Sequence, residues 1–346
     1  MKKNNTISLI DGSGFIFRAY YALPPLTNKK GVPVGAVMGF CNMLFKLLEE
    51  ESSNKIIVIF DTARKTFRSE IYDNYKANRG DPPEDLIPQF SLIRQAVDAF
   101  EISRLELNGF EADDLIATYA KQITNAGAKV TVISSDKDLM QLVSEDSIRL
   151  YDPMKNKVLG EKEVIEKFGV KPDQVIDVQS LAGDSSDNIP GVPGIGIKTA
   201  SELINKYKTL DTLLKKAGEI PQNKRRETLL ANKDKALLSK KLVTLKDDVP
   251  IKDDPNSFIL KEVQKDKLYD FLREMEFNKL LSRVINFYGE TNVKKITSSN
   301  YKIKSDTINV KDYESITDEK VLDKWIKILN EQSIIVVDTE TSSLNP

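Results

Sequence analysis

Short, continuous runs of apolar and β-branched residues recur along the first half of the chain, and three of them lead into an aspartate. The runs and the aspartates that follow them are 6–10 before Asp11, 55–60 before Asp61, and 129–133 before Asp136. Such runs are typical of buried strands in parallel sheets. Helix-like segments alternate with them over residues 1–170, which predicts an α/β fold with a central, mostly parallel sheet flanked by helices. Because ligands bind at the carboxyl ends of strands in such sheets, we expect these acids to meet at one edge.

The pattern changes after this region. Residues 62–95 form a long polar and basic excursion, and residues 171–288 carry helical signals with little strand character. Residues 289–307 have few large apolar groups and are typical of a linker. Residues 308–346 contain a predicted helix, Asp318 to Leu329, and a predicted strand, Ser333 to Val337. We interpret this last segment as the truncated start of a further domain.

Composition narrows the possible chemistry. The chain has 346 residues, 40% of them apolar, with one cysteine and no histidine. A single thiol, Cys41, excludes an internal disulfide and a cysteine zinc site. There is no signal-peptide pattern and no apolar run long enough to span a membrane. These features predict a cytoplasmic protein whose site depends on carboxylates, lysines, arginines and metal ions.

Charge is unevenly distributed although the net charge is −1. Residues 198–241 contain twelve basic and five acidic side chains, and residues 64–79 contain five basic and two acidic ones. A basic surface beside an acidic pocket suits a metal-dependent enzyme that acts on a polyanion. Lysine-rich solvated helices explain the same local excess equally well.

Nine carboxylates stand in tight clusters near the predicted strand ends. Each one alone is explained as a helix cap or a turn residue, but together they predict a site for hard cations, Mg²⁺ or Mn²⁺. Two such ions about 4 Å apart can support phosphodiester hydrolysis. The nine are Asp11, Asp61, Glu111, Asp113, Asp114, Asp136, Asp138, Asp184 and Asp187.

Two further segments favour nucleic acid as the substrate. In the segment from Gly191 to Ala200, two short helices joined by a Gly-x-Gly turn would offer amides and a lysine to a duplex backbone; the candidate contacts are Gly191, Gly194, Gly196 and Lys198. In the excursion, Lys76 and Arg79 lie one helical turn apart and could face a scissile phosphate, while Tyr75 could stack on an unpaired base. Arg68 is a further candidate DNA contact, and a plain exposed charged helix is the alternative.

These motifs together closely resemble the 5′-nuclease (flap endonuclease) domain of bacterial DNA polymerase I. The matching stretches cover roughly residues 6 to 285 in the order of that family; they are LIDGSGFIFRAYYAL, VIFDTARKTFR, YKANR, GFEADDLIAT, SSDKDLMQL and LAGDSSDNIPGVPGIGIKTA. The resemblance implies a helical arch over about 62–95 and a helix–hairpin–helix subdomain over 171–288. It also implies Mg²⁺-dependent cleavage of 5′ flaps and 5′ ends in primer removal and repair.

The resemblance assigns roles to the candidate residues. Asp11, Asp61, Glu111, Asp113 and Asp114 would serve a first metal ion, and Asp136, Asp138, Asp184 and Asp187 a second. Lys76 and Arg79 would stabilise charge on the phosphate, and the hairpin would hold a K⁺ ion against DNA. Asp338 and Glu340 resemble the first motif of the 3′–5′ exonuclease domain that follows in these polymerases.

The resemblance implies a monomer that acts on DNA with 5′ flaps, nicks or RNA primers and has no membrane partner. The main alternative is a non-catalytic duplex-binding module that uses the hairpin alone, but such a module gains nothing from acids near phosphates. A doubly wound phosphatase would favour Asp-x-Asp after the first strand, where this chain has Asp11-Gly12-Ser13. A compact RNase with an acidic site would leave the hairpin unexplained.

Overall fold

The computed structural model describes residues 6–50, 53–62, 65–290, 314 and 316–330. Contacts divide the chain into two compact units, 1–291 and 292–346. The predicted boundary near residue 170 lies inside the first unit.

The first unit is built on a six-stranded sheet in the order β3-β2-β1-β4-β5-β6. The strands are β1 (Thr6–Asp11), β2 (Ile56–Ile59), β3 (Ser103–Leu105), β4 (Lys129–Ile133), β5 (Ile148–Asp152) and β6 (Lys157–Leu159). All neighbouring pairs are parallel except β5 with β6, which is antiparallel. The prediction of a central, mostly parallel sheet is confirmed, and the three strands predicted from apolar runs are β1, β2 and β4.

Helices cover both faces of the sheet and extend beyond it. Those of the first unit are α1 (Gly12–Ala22), α2 (Gly35–Glu50), α3 (Phe67–Ile71), α4 (Ile87–Ala99), α5 (Ala112–Asn125), α6 (Glu161–Phe168), α7 (Val175–Ala182), α8 (Ile197–Tyr207), α9 (Leu210–Lys215), α10 (Asn223–Ala231), α11 (Lys233–Val243), α12 (Lys265–Glu274) and α13 (Asn278–Tyr288).

Side chains of the central strands alternate between two cores. On β2, Ile57 and Ile59 join a core with α5 and with α7, α8 and α9, whereas Ile56 and Val58 join a core with α2 and α4. All four side chains are buried because helices cover both faces, which explains the continuous apolar runs in the sequence.

The helices after residue 170 are shared between the two cores. Leu203 and Leu213, on α8 and α9, belong to the α5 side, whereas Leu268 and Val284, on α12 and α13, belong to the α2 and α4 side. Residues 171–288 therefore contribute to both faces of the sheet as well as carrying the hairpin.

The basic excursion contains less helix than the resemblance implies. Its described residues form the five-residue helix α3, turns over 73–78 and 84–86, and the first turns of α4, which continues to Ala99. Lys76 has φ +54°, a left-handed conformation that an α-helix does not contain. The prediction that Lys76 and Arg79 share one turn of an α-helix is therefore wrong, although the amide of Arg79 does donate to the carbonyl of Lys76 at 3.0 Å.

The second unit contains one described helix, α14 (Glu319–Asn330), close to the predicted helix from Asp318 to Leu329. Most of the predicted linker, the predicted strand Ser333 to Val337, and Asp338 and Glu340 lie outside the described residues. Within the part of the chain that the structure describes, no helix is long and apolar enough to cross a membrane.

Candidate active site

Asp11 lies at the junction of β1 and α1, at the carboxyl edge of the sheet. Its side chain caps α1 by accepting from the Gly14 amide at 2.8 Å, and it accepts from the Ser134 hydroxyl at 2.8 Å. A Cβ at position 14 would collide with this carboxylate, so the close cap requires glycine there. Burial raises the pKa of Asp11 to about 6, against the opposing effect of these two hydrogen bonds.

Asp61 and Asp113 join this edge from β2 and α5. The amide of Ala112 donates to Oδ1 of Asp61 at 2.7 Å, which ties the end of β2 to the first turn of α5, where Asp113 lies. Burial raises the pKa of Asp113 well above its usual value, and the negative charges of Asp136, Asp11 and Asp61 raise it further. Four carboxylates from four separate segments therefore act on one another electrostatically.

Asp136 and Asp138 follow β4 in a turn held by local hydrogen bonds. The amide of Asp136 donates to Ser134 Oγ at 3.0 Å, and the amide of Asp138 donates to Asp136 Oδ1 at 2.8 Å. Gln179 on α7 donates to Asp138 Oδ1 at 2.5 Å. Burial and then the charge of Asp136 raise the pKa of Asp138. Through Gln179, this turn is connected to the segment that leads into Asp184 and Asp187.

The other acids are neutralised by cations of the protein itself. Lys76 donates to Glu111 Oε1 at 2.7 Å and lies 3.7 Å from Asp187, which also pairs with Arg79. Lys137 pairs with Asp138 and Asp184. Consistent with this pairing, no three or more acidic, histidine or cysteine side chains already form a metal-binding group among the described residues.

Arg68 and Asp114 form a buried ion pair, which changes two of the predicted assignments. Arg68 is 1% exposed and Asp114 is 0% exposed, so the prediction that Arg68 contacts DNA is wrong. Both guanidinium nitrogens donate to Asp114 at 2.7 Å, and the amide of Lys246 donates to the same carboxylate at 2.9 Å. Both carboxylate oxygens of Asp114 are therefore occupied by donors of the protein, including the Glu111 amide at 3.2 Å, and these contacts fit a positioning role better than the predicted metal ligation.

Tyr75 also points inward. Its side chain is 7% exposed and packs with Ile189, Leu242 and Val243, while its hydroxyl donates to Glu111 Oε2 at 3.1 Å. The prediction that this ring stacks on an unpaired base is wrong for this arrangement. The ring instead joins the turn that carries Lys76 to the start of α5.

The predicted hairpin is present in altered form. α7 ends at Ala182 and α8 begins at Ile197, so a long loop over 183–196, rather than a Gly-x-Gly turn alone, joins the two helices. Gly194, Gly196 and Lys198 are exposed, as a DNA contact requires.

Gly191 shapes the backbone of this loop and does not face solvent. It is buried, and its amide donates to Ser239 Oγ at 2.9 Å, so its prediction as a DNA contact is wrong. A Cβ on Gly191, which has φ +58°, would lie 2.5 Å from the Gly183 nitrogen, so the two glycines allow a close crossing of backbone.

Comparison with known proteins agrees with this architecture. Residues 6–169 match the model of the 5′–3′ exonuclease N-terminal resolvase-like domain, and residues 170–266 match that of the 5′–3′ exonuclease C-terminal SAM fold. A 5′–3′ exonuclease of Aquifex aeolicus is 39% identical over 285 residues, which cover 82% of this chain and 97% of that protein. The chain belongs to the 5′–3′ exonuclease family.

One further relative and one solved structure define the extent of this similarity. DNA polymerase I of Rhizobium leguminosarum is 56% identical over 292 residues, and the match covers 82% of this chain and 29% of the polymerase. The chain therefore spans less than a third of that relative. A bacteriophage T5 flap endonuclease, solved with DNA and metal ions, shares the fold with a TM-score of 0.58 at 19% identity over 82% of this chain and all of that chain.

Several residues that shape the candidate site were not predicted from the sequence. Ser134 bonds Asp11, Gln179 bonds Asp138, and Lys137 bridges Asp138 and Asp184. The sequence could have indicated a role for Lys137, because this residue lies between two of the candidate acids, Asp136 and Asp138. Ser134 and Gln179 had none, because their partners come from other segments of the chain.

Proposed function

We propose that this enzyme is a metal-dependent 5′–3′ exonuclease and 5′-flap endonuclease that hydrolyses DNA phosphodiesters with two divalent ions. We further propose that it is the N-terminal part of a DNA polymerase I that acts in primer removal and DNA repair. The observation that carries the proposal is a set of hydrogen bonds at the carboxyl edge of the sheet: Ser134 bonds both Asp11 and the amide of Asp136, and Asp61 bonds the first turn of α5, which carries Asp113. The names of its relatives support the same reaction.

The donor set fits hard divalent cations. Carboxylate oxygens are the ligands that Mg²⁺ and Mn²⁺ prefer, and the raised pKa values of Asp11 and Asp113 show that their charges need compensation. Asp11, Asp61 and Asp113, with Glu111 beside them, would hold one ion. Asp136, Asp138, Asp184 and Asp187 would hold the other. When bound, the two ions would supply an activated water and stabilise the leaving oxygen.

The protein's own residues would orient the carboxylates and the phosphate. The Gly14 amide and the Ser134 hydroxyl fix Asp11, and the Ala112 amide fixes Asp61. Lys76 pairs with Glu111 and Arg79 pairs with Asp187, and both cations lie on a turn whose backbone is bonded to the loop carrying Asp187. Their positive charges would stabilise the negative charge that develops on the phosphate.

The loop before α8 would hold the duplex away from the reacting bond. Gly194 and Gly196 expose backbone at the N-terminus of α8, where free amides favour phosphate, and Lys198 adds a charge in the first turn. Contacts of this kind grip the backbone without reading sequence. A K⁺ ion between this loop and the phosphates would strengthen the same grip.

The decisive experiment compares labelled duplexes incubated with Mg²⁺, with Mn²⁺ and with EDTA. We expect cleavage of a 5′-flap duplex near its junction with either metal, none with EDTA, and little cleavage of a matched 3′-flap duplex. A substrate with 5′ ribonucleotides tests primer removal, and light scattering tests the expected monomer. Retention of the flap duplex without cleavage under all three conditions would favour the non-catalytic DNA-binding module instead.

A further inference from the structure

Lys137 connects two acids that come from distant segments of the chain. It lies in the turn after β4, and its ammonium donates to Asp138 Oδ1 at 3.2 Å and to Asp184 Oδ2. The Asp184 side chain is 8% exposed and that of Asp138 is 22% exposed. Two carboxylates this close and this poorly solvated repel one another unless a cation lies between them.

The remaining contacts of Asp184 show which of its oxygens the lysine occupies. Oδ1 of Asp184 accepts from the Ser186 amide at 2.8 Å and from the Ser186 hydroxyl at 2.5 Å. Oδ2 is bonded to Lys137. The local turn therefore satisfies one oxygen with neutral donors and leaves the other to the ammonium.

Lys137 differs from Arg68, another cation that bridges separate segments near the site. Arg68 is fully enclosed, and its planar head makes bonds to Asp114, to Glu111 at 3.4 Å, and to the carbonyls of Leu242 and Thr244. The Lys137 side chain is 33% exposed, and the described bonds of its ammonium go only to the two acids. A flexible, partly solvated lysine can withdraw into water without moving the backbone, whereas a buried arginine cannot.

We propose that Lys137 is a positioning residue that acts as a built-in counter-cation: it holds Asp138 and Asp184 together in the metal-free protein and leaves them when a divalent ion binds. The inference rests on the metal dependence proposed above. In this proposal Lys137 competes with the metal ion for the two carboxylates and does not contact DNA. Against the opposite effect of burial, the hydrogen bonds from Lys137 and Ser186 lower the pKa of Asp184.

The test measures metal binding directly, without DNA or cleavage. Lys137→Met removes the charge and keeps the length of the side chain, and Lys137→Arg keeps the charge. Lys121→Met is the matched control, because Lys121 forms a half-exposed pair with Asp247 at 2.7 Å, on α5. Every protein compared, including the reference chain that is otherwise unsubstituted, carries Asp338→Asn and Glu340→Gln, so that the second unit contributes no predicted metal ligand. Titration calorimetry gives the Mn²⁺ affinity, and the unfolding temperature is recorded with and without Mn²⁺.

We expect Lys137→Met to bind Mn²⁺ about three- to thirtyfold more tightly than the unsubstituted chain. This range corresponds to the free energy of two partly exposed ion pairs, which Mn²⁺ no longer has to break in the variant. Without metal it should unfold about 2–4 °C below the unsubstituted chain, and Mn²⁺ should remove that difference. Lys137→Arg and Lys121→Met should match the unsubstituted chain in Mn²⁺ affinity.

Equal or weaker Mn²⁺ binding by Lys137→Met would overturn the counter-cation inference and leave the proposed nuclease function intact. Failure of the unsubstituted chain to bind Mn²⁺ at all would overturn the metal-dependent function itself. The affinity of the unsubstituted chain therefore separates the two failures.

Discussion

Both carboxylate oxygens of Asp114 accept hydrogen bonds from the guanidinium of Arg68, each at 2.7 Å, in a contact sealed from solvent. Nε of Arg68 donates to the Leu242 carbonyl at 2.8 Å, and the amide of Lys246 donates to Asp114 at 2.9 Å. This ion pair fastens α3 and α5 to the end of α11 and to the residues that follow it. It therefore sets the position of the first turn of α5, which carries Asp113.

Replacement of Arg68 by methionine should destabilise the fold strongly. It leaves Asp114 buried without its partner, which typically lowers the free energy of unfolding by about 3–5 kcal/mol. Denaturant unfolding measures the change, and Arg104→Met is the control, because Arg104 pairs with the exposed Asp98. An unchanged unfolding free energy together with weaker DNA binding would restore Arg68 as a DNA contact.

Asp113 and Asp114 are adjacent in sequence but should respond differently to the same substitution. Asp113→Asn should reduce cleavage by about a hundredfold or more, because it removes a charge at the proposed metal site, while the free energy of unfolding stays equal or rises. Asp114→Asn should lower the free energy of unfolding by breaking the pair with Arg68. Flap cleavage with Mg²⁺ and denaturant unfolding without metal separate the two effects. Equal losses of stability in both variants would contradict this division of roles.

The sequence predicted the strands and the acids at their ends, because both depend on local pattern. β1, β2 and β4 are buried on both faces, so their apolar runs are visible without any knowledge of their neighbours. Because Asp11 and Asp61 follow the carboxyl ends of two such strands, the sequence also predicted that both lie at one edge of the sheet.

Whether a side chain points into the core or into solvent could not be predicted from local pattern. Arg68 and Tyr75 looked like exposed DNA contacts because they stand in a polar, basic segment. Their burial depends on Leu242, which lies far along the chain and packs over this segment only in the folded protein. Gly191 was misassigned for the same reason, since its partner Ser239 lies on α11.

The metal-free protein should lose stability as the pH rises through the range in which Asp11 ionises. The pKa of Asp11 rises from 3.8 to about 6 in the fold, chiefly through burial. Because the folded state keeps this proton to higher pH, the stabilisation is complete below about pH 4 and is lost by about pH 6, at most about 3 kcal/mol. Asp11→Asn retains an oxygen that can accept from the Gly14 amide, so its free energy of unfolding relative to the unsubstituted chain should rise over the same range. Denaturant unfolding in metal-free buffer at pH 4.5 and pH 7 tests this, and a difference independent of pH would contradict it.

Lys198 is the exposed charge in the first turn of α8, beside the exposed Gly194 and Gly196. If this loop grips the duplex backbone, Lys198→Ala should weaken binding of different duplex sequences about equally and lower the slope of log affinity against log salt by about one. Lys206→Ala, at the other end of the same helix, is the matched control and should leave both quantities unchanged. Fluorescence anisotropy with two unrelated duplexes at several KCl concentrations measures affinity and slope together. A uniform affinity loss with no change in slope would show that Lys198 acts through the shape of the loop, because a lost phosphate contact must also change the number of ions released.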